Sequence, residues 1–297
     1  MRRDRSAGRP GRADLPGAVA RRAGALAARP GAVTRPAGAL AARPGAVTRP
    51  ADALAAQPGA VTRPADALAA RPGAVTRPTG VRAVTGWRPV APERLPDVLA
   101  DAVLEAAGDG RRLGPALRVV VDGAPAARPD LLADVLVEPL RLRGRHALRV
   151  SAGAFLRPAS LRLERGRTDP ESYADDWLDV AALRREVLDP LGPGGSGRYL
   201  PTLWDAATDR ATRADYATAA AGSVLLLDGA LLLGRGLPAD LTVHVRLSAA
   251  ALVRRTGAGE AWTLPAFERY EAEVGPDETA DLVVRLDDPR HPAVAVR

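Results

Sequence analysis

Proline spacing constrains this chain more than any other feature. Between Pro30 and Pro78 a proline falls alternately every six and every eight residues. Each proline removes a backbone donor and disfavours helix in the residue before it. The stretches left between prolines, such as Asp52 to Gln57, reach barely more than one helical turn, too short to offset nucleation. The same region repeats every 14 residues, with Arg35, Arg49, Arg63 and Arg77 opening successive units and Leu26, Leu40, Leu54 and Leu68 recurring in phase. Helical repeat families use longer periods. One Leu and one Val per unit cannot offset the entropy of ordering the chain. Residues 1–80 are therefore expected to form a disordered, low-complexity arm with extended polyproline-like stretches, and the folded domain is expected within 81–297.

Charge divides the chain at the same place. The formal net charge is +7. Residues 1–80 hold 14 Arg and 4 Asp, whereas 81–297 hold 28 Arg against 31 acidic residues. The basic character thus belongs wholly to the arm. The domain lacks the basic footprint of a nucleic-acid reader, and no specific nucleic acid is expected as a partner. The arm's arginines are spread roughly one per seven residues, so any hold on an anionic polymer would be weak and salt-sensitive. All basic residues are Arg, and Lys, Ile and Asn are absent. This is a coding bias that warns against reading every Arg as selected for binding. The chain has no Cys and only three His, far apart, which excludes disulfides and argues against zinc. No apolar run reaches the roughly 18 residues of a membrane span. No membrane partner is expected, and the expected location is cytoplasmic.

The domain alternates helices with apolar strands. Leu95, Val98, Leu99, Val103 and Leu104 recur at helical spacing within Pro92 to Ala107. Leu117 to Val121 is a compact β-branched run, read as a buried strand. Asp122-Gly123 opens a loop, and Pro129-Asp130 starts a helix, Pro suiting the first turn and Asp the positive end of the dipole. Leu131, Leu132, Val135 and Leu136 are its expected apolar face. Further strands are expected at Ala147 to Ser151, Ser223 to Asp228, Leu241 to Leu247 and, last, Asp281 to Leu286. Further helices are expected at Val180 to Leu188, ending at Pro190, and at Leu264 to Val274. This alternation gives a doubly wound α/β sheet, whose ligands sit at the carboxyl ends of the strands.

Several segments carry a resemblance. They are Leu188-Asp-Pro-Leu-Gly-Pro-Gly-Gly-Ser-Gly-Arg-Tyr199, Leu203-Trp-Asp-Ala-Ala-Thr-Asp209, Val224 to Gly229, Asp281 to Pro292, and Val121-Asp122-Gly123 where a phosphate loop would begin. Together they resemble the uridine kinase branch of the P-loop nucleoside kinases over most of 115–293. The resemblance implies a parallel sheet of the P-loop nucleoside triphosphate hydrolase type. For an active member it implies transfer of the γ-phosphoryl group from ATP, with Mg²⁺, to a nucleoside hydroxyl.

Two departures bear on that activity. A phosphate loop needs Gly-x-x-x-x-Gly-Lys-Ser/Thr, with amides cradling phosphates, Lys reaching the β/γ-phosphates and the hydroxyl holding Mg²⁺. Counted from Gly123, Arg128 stands at the second Gly, Pro129 at the Lys and Asp130 at the hydroxyl. The family also looks similar to Ser-x-Asp-Asp-Phe after its second strand, one Asp acting as base. Here the run is Ser151-Ala-Gly153-Ala154-Phe155. A positioned base typically contributes about 10² to 10⁴ in rate. A pseudokinase that binds a nucleotide, nucleoside or protein partner without turnover is therefore the alternative to an active uridine kinase-like enzyme.

The remaining candidates each have two readings. Asp228 is a Mg²⁺-associated, catalytic carboxylate or a turn residue. Asp130 holds a metal or repels phosphate. Gly123 and Arg128 contact phosphate, Arg128 partly compensating for the missing Lys. Arg254 and Arg255 are phosphate-clamping lid arginines or a solvated helix face. Phe155 and Arg157 are a surviving pocket wall, and Tyr173 and Trp177 cover a base or ribose or simply pack. Gly192 to Gly197 follows a helix rather than a strand and is read as a connecting loop. His244, between Val243 and Val245, is read as a satisfied or exposed strand histidine.

Overall fold

The computed structural model describes residues 86–108 and 114–296; the arm expected at 1–80 lies outside them. The main sheet has seven strands: β1 (Arg88–Pro89), β2 (Ala116–Gly123), β3 (Ala147–Ser151), β4 (Ser223–Gly229), β5 (Leu241–Arg246), β6 (Leu282–Arg285) and β7 (Ala293–Val296). Their order is β1-β7-β6-β5-β2-β4-β3. The pairs β3·β4, β4·β2, β2·β5 and β5·β6 are parallel, as expected of apolar strands joined by helices. The chain leaves β2 towards β3, returns to β4 beside β2, then crosses to β5 on the other side. The winding reverses at β2, and in such sheets ligands bind at the carboxyl ends beside the reversal.

β2 is buried along its whole length, and its alternating side chains feed two cores. Val119 and Val121 pack under α1 (Leu95–Gly108), α2 (Pro129–Val135) and α3 (Val137–Leu142), with Leu99, Val103, Leu132, Leu136 and Leu140. Val120 faces the other way, towards Leu183, Val187, Leu188, Leu225 and Leu227. Helices on both faces make the sheet doubly wound. Arg118, within β2, is paired with Asp240 through Nη2–Oδ1 at 2.8 Å and Nε–Oδ2 at 3.0 Å. This buried charge is thus matched by a bidentate partner.

Three expectations need correction. The sheet does not end at the strand near 282–285, because β7 returns antiparallel beside β6 and β1 adds antiparallel to β7. The Ala-Val-Ala-Val run of β7 is short and follows a proline, so its pattern is faint. The helix at Pro129 does not bury Leu131 and Val135, which are 47% and 48% exposed. The side chains facing the sheet are Leu132, Ala133, Leu136 and Leu140, and the helix breaks between α2 and α3 at Leu136. The helix from Val180 does not stop before Pro190. It runs from α4 (Val180–Leu183) through a wide turn at Arg184–Leu188 into α5 (Asp189–Leu191). A helical proline leaves the carbonyl four residues back without its donor. Here that carbonyl, of Glu186, accepts from the Leu200 amide at 3.0 Å.

The glycine-rich run at 192–197 is a connecting turn, as its context suggests. A Cβ on Gly195 would lie 2.2 Å from the Pro190 carbonyl oxygen. Backbone approaches backbone there, with no room for a side chain.

Candidate functional site

The carboxyl ends of β2, β4 and β5 meet around one buried carboxylate. Asp122, 0% exposed, lies near the end of β2, opposite His244 of β5. Its Oδ1 accepts from the Leu232 amide at 2.8 Å. Its Oδ2 faces His244 Nδ1 at 2.7 Å and accepts from the Tyr270 hydroxyl at 3.1 Å. The Tyr270 oxygen accepts in turn from the Leu233 amide at 3.0 Å. A carboxylate facing Nδ1 requires the imidazole hydrogen on that nitrogen. Burial first, then the charge of Asp122, holds the Tyr270 hydroxyl far above its usual range, so it stays a donor. The network ties the loop after β4, where Leu231 has φ of 59°, to β2, β5 and α7 (Leu264–Glu273). His244 is thus the satisfied strand histidine of the two readings.

The loop after β2 is closed on itself. Gly123 passes against Val245, whose Cβ and carbonyl would lie 3.0 Å from an added Cβ. The Ala127 amide donates to the Ala124 carbonyl at 2.8 Å and the Arg128 amide to that of Pro125 at 3.1 Å. Pro125 and Pro129 have no amide hydrogen. Four of the seven positions 124–130 therefore offer no free amide to a phosphate. Arg128 adopts φ 60°, ψ 55°, the left-handed region that favours the glycine standing there in a phosphate loop. Its guanidinium grips Asp130 with Nε–Oδ1 at 2.9 Å and Nη2–Oδ2 at 2.8 Å. The Arg128 hydrogen bond holds the Asp130 carboxyl below its ordinary range. The fork that could reach a phosphate already holds a carboxylate.

Asp228, near the end of β4, is nearly buried and is engaged on both oxygens. Ser151 Oγ donates to Oδ2 at 3.0 Å. Oδ1 lies 2.8 Å from Arg149 Nη1, an ion-pair distance without hydrogen-bond alignment. Arg149, on β3, also meets Asp134 at 2.9 Å and the Leu226 carbonyl at 3.0 Å. Among the described residues no group of three or more His, Asp or Glu is arranged to hold a metal ion. With no Lys or hydroxyl in the loop, and Asp228 paired to Arg149, this donor set does not fit Mg²⁺-ATP.

The other candidates stand on elements around the loop: the helix at Ala249–Arg255 packs against the turn at Pro125–Ala127, and Tyr173 shares an apolar cluster with Ala124. Phe155 is 0% exposed within the core. It and Arg157 are joined to the segment at 177–179 by backbone bonds, Arg157 amide to Trp177 carbonyl and Asp179 amide to Phe155 carbonyl, both 2.9 Å. Tyr173 and Trp177 stand edge to face at 5.1 Å. Trp262 lies 5.5 Å from Tyr173 and Phe267 lies 6.1 Å from it. Arg254 is exposed in the last turn of α6 (Ala249–Arg255), and Arg255 donates to the Asp287 carbonyl at 2.9 Å. Sequence reasoning did not assign Tyr270, Arg149 or Trp262 to the site. The only signal for the buried network was an Asp closing an apolar strand with a His in another.

Burial raises the Tyr173 hydroxyl from 10.0 to about 12, and Tyr270 is raised as well. A raised folded-state value means that the unfolded chain ionises first. Stability is therefore fully present below pH 10 and is lost as pH climbs towards 12. Melting followed from pH 8 to pH 11 should fall at the alkaline end, and Tyr173→Phe should flatten that fall.

No family model and no curated protein matches the sequence. Solved structures do match. A possible uridine kinase from Bacillus stearothermophilus aligns at 18% identity over 63% of this chain and 96% of its own, with a TM-score of 0.51. A candidate fructose transport system kinase from Silicibacter sp. TM1040 aligns at 23% identity over 62% of this chain and 94% of its own, with a TM-score of 0.46. The first of these, with the strand order above, shows that the domain has the P-loop kinase-like fold.

Proposed function

We propose that this P-loop kinase-like domain is a pseudokinase, which binds a nucleoside or a protein partner without cradling Mg²⁺-ATP or transferring phosphoryl groups. One observation carries the reading: positions 128–130, where a kinase has Gly, Lys and a hydroxyl, hold Arg, Pro and Asp, and the guanidinium of Arg128 lies on the carboxylate of Asp130. Phosphoryl transfer depends on positioning and charge stabilisation rather than on covalent help from the protein. A loop that turns its amides inward and neutralises its own arginine supplies neither. The absent carboxylates at Gly153 and Ala154 and the ion-paired Asp228 point the same way.

The reading is tested on the full chain with radiolabelled ATP, Mg²⁺ and a panel of uridine, cytidine and adenosine. The expected result is no labelled nucleotide product above a no-protein control. Turnover that scales with protein concentration and disappears on Asp228→Asn would establish an active uridine kinase-like enzyme instead.

A further inference from the structure

The chain that leaves β3 does not run straight into α4. It makes an excursion whose two ends are tied together. The Arg157 amide donates to the Trp177 carbonyl and the Asp179 amide to the Phe155 carbonyl, both at 2.9 Å, and Leu156 pairs with Leu178 in an antiparallel bridge. Residues 158–176 therefore hang from one neck. Their second helix, Pro170–Asp175, packs on the loops that follow β2 and β4. Its Ala174 is buried in an apolar cluster with Leu231, Ala266 and Phe267, against which Ala124 of the closed loop and Leu252 of α6 also pack. The chain's own side chains thus occupy the end of the sheet at which ligands bind in such folds.

Two arginines hold that helix down, and they differ in kind. Arg235, in the loop after β4, donates Nε to the Leu231 carbonyl at 2.5 Å and Nη2 to the Ala174 carbonyl. Burial, the largest influence on this guanidinium, holds it below the ordinary arginine range, and a contact so placed is little screened by salt. Arg269, on α7, reaches across to Glu171 and Asp175 of the helix and to Glu273 of α7 itself, the last at 3.4 Å. Glu171 and Asp175 are four residues apart and share one helix face, so a single guanidinium meets both. Arg269 is 27% exposed, and the two carboxylates are 55% and 54% exposed. Pairs this open to water are weakened by salt. A helix of six residues does not persist alone, so this one stays folded only while it is docked.

We infer that Arg269 is the latch of a strap: residues 158–176 are held closed over the loops after β2 and β4 by its grip on Glu171 and Asp175, and loosening that grip frees the strap while the sheet beneath stays folded. The apolar cluster and Arg235 set where the strap docks, and the Arg269 pairs set how firmly it is held. The inference concerns access to this end of the sheet and stands apart from whether the domain transfers phosphoryl groups.

Hydrogen–deuterium exchange on the full chain tests it. The reporters are the amides of Ser172, Tyr173 and Asp176, which donate to Asp169 and Ser172 within the strap and lose protection when the helix lifts. The natural chain is compared with Arg269→Gln and with the double change Glu171→Gln, Asp175→Asn. Agreement between the two separates loss of the latch from a change in the helix itself, because Arg269→Gln leaves the strap untouched. Each protein is measured at low salt and at about 1 M salt, where charges are screened within about 3 Å. The salt comparison on the natural chain needs no substitution. At low salt the strap amides should exchange about tenfold faster in both variants, the scale of two or three surface ion pairs lost together. High salt should speed exchange in the natural strap and change little in the variants, and β2 and β4 should keep their protection throughout. Three results overturn the inference: variants whose strap exchanges as slowly as the natural one, a natural strap indifferent to salt, or exchange that rises as much in β2 and β4 as in the strap. The last would make Arg269 a prop of the whole domain and not a latch.

Discussion

Replacing Asp122 with alanine should destabilise the domain by at least about 3 kcal/mol, since three buried donors lose their acceptor at about 1–3 kcal/mol each. Those donors are the Leu232 amide, the His244 Nδ1–H and the Tyr270 hydroxyl. The loss reaches beyond β2, because the Leu233 amide depends on Tyr270. Leu231 also holds a left-handed conformation that only the surrounding bonds sustain. Asp122→Asn should fall between the two. It keeps an oxygen for Leu232 but sets an NH₂ group against two donors, which forces His244 into its other tautomer. Urea unfolding measures both. If both variants stay within about 0.5 kcal/mol of the natural chain, the level of an ordinary surface substitution, the carboxylate is not the anchor of this end of the sheet.

The second large effect separates structure from metal chemistry at Asp228. Arg149→Ala should cost about 3–5 kcal/mol, because it strands a nearly buried carboxylate without its ion-pair partner. Asp228→Asn should cost much less, since Arg149 keeps Asp134 and the Leu226 carbonyl and Ser151 keeps an acceptor. The order reverses the intuition that a strand-end aspartate matters and its arginine neighbour is incidental. If Asp228 held Mg²⁺, the natural chain would melt at a higher temperature in millimolar Mg²⁺, and Asp228→Asn would erase the increment. The ion pair predicts no increment in either chain.

The parallel core of the fold was legible because its signals are local. The apolar runs at 117–121 and 223–228 can only be strands buried on both faces, and the intervening periodic segments can only cross over as helices. The antiparallel edge was not legible. Arg88–Pro89 has no strand pattern, and its pairing with β7 is a tertiary fact. Leu131 and Val135 misled because they sit on the helical spacing of the apolar stripe, and which side of a short helix meets the sheet is decided by packing. Pro190 misled because a helix can tolerate proline when another donor, here Leu200, takes the orphaned carbonyl.

The site was legible as a set of losses and not as a set of contacts. The residues that fail the phosphate-loop pattern, Arg128, Pro129 and Asp130, can be counted off from Gly123. That Arg128 and Asp130 grip each other depends on a left-handed turn that no spacing rule foresees. Arg149 in a strand looks like one more arginine of an arginine-biased chain until its distance to Asp228 is measured. His244 and Tyr270 lie far from Asp122 in sequence, and only the register of β5 on β2 and the packing of α7 bring them together.

The most direct test of the closed phosphate loop is a thermal shift with millimolar Mg²⁺-ATP. It compares the natural chain with one carrying Arg128→Gly, Pro129→Lys and Asp130→Thr. These changes restore the left-handed glycine, the phosphate-reaching lysine and the Mg²⁺ hydroxyl. Ligand bound only to the folded state stabilises it by about 2.7 kcal/mol at 100 times its Kd, a shift of several degrees. The account predicts no shift in the natural chain and a clear rise in the restored one. A natural chain that shifts as far as the restored one would show that its loop already cradles phosphate, and would contradict the account.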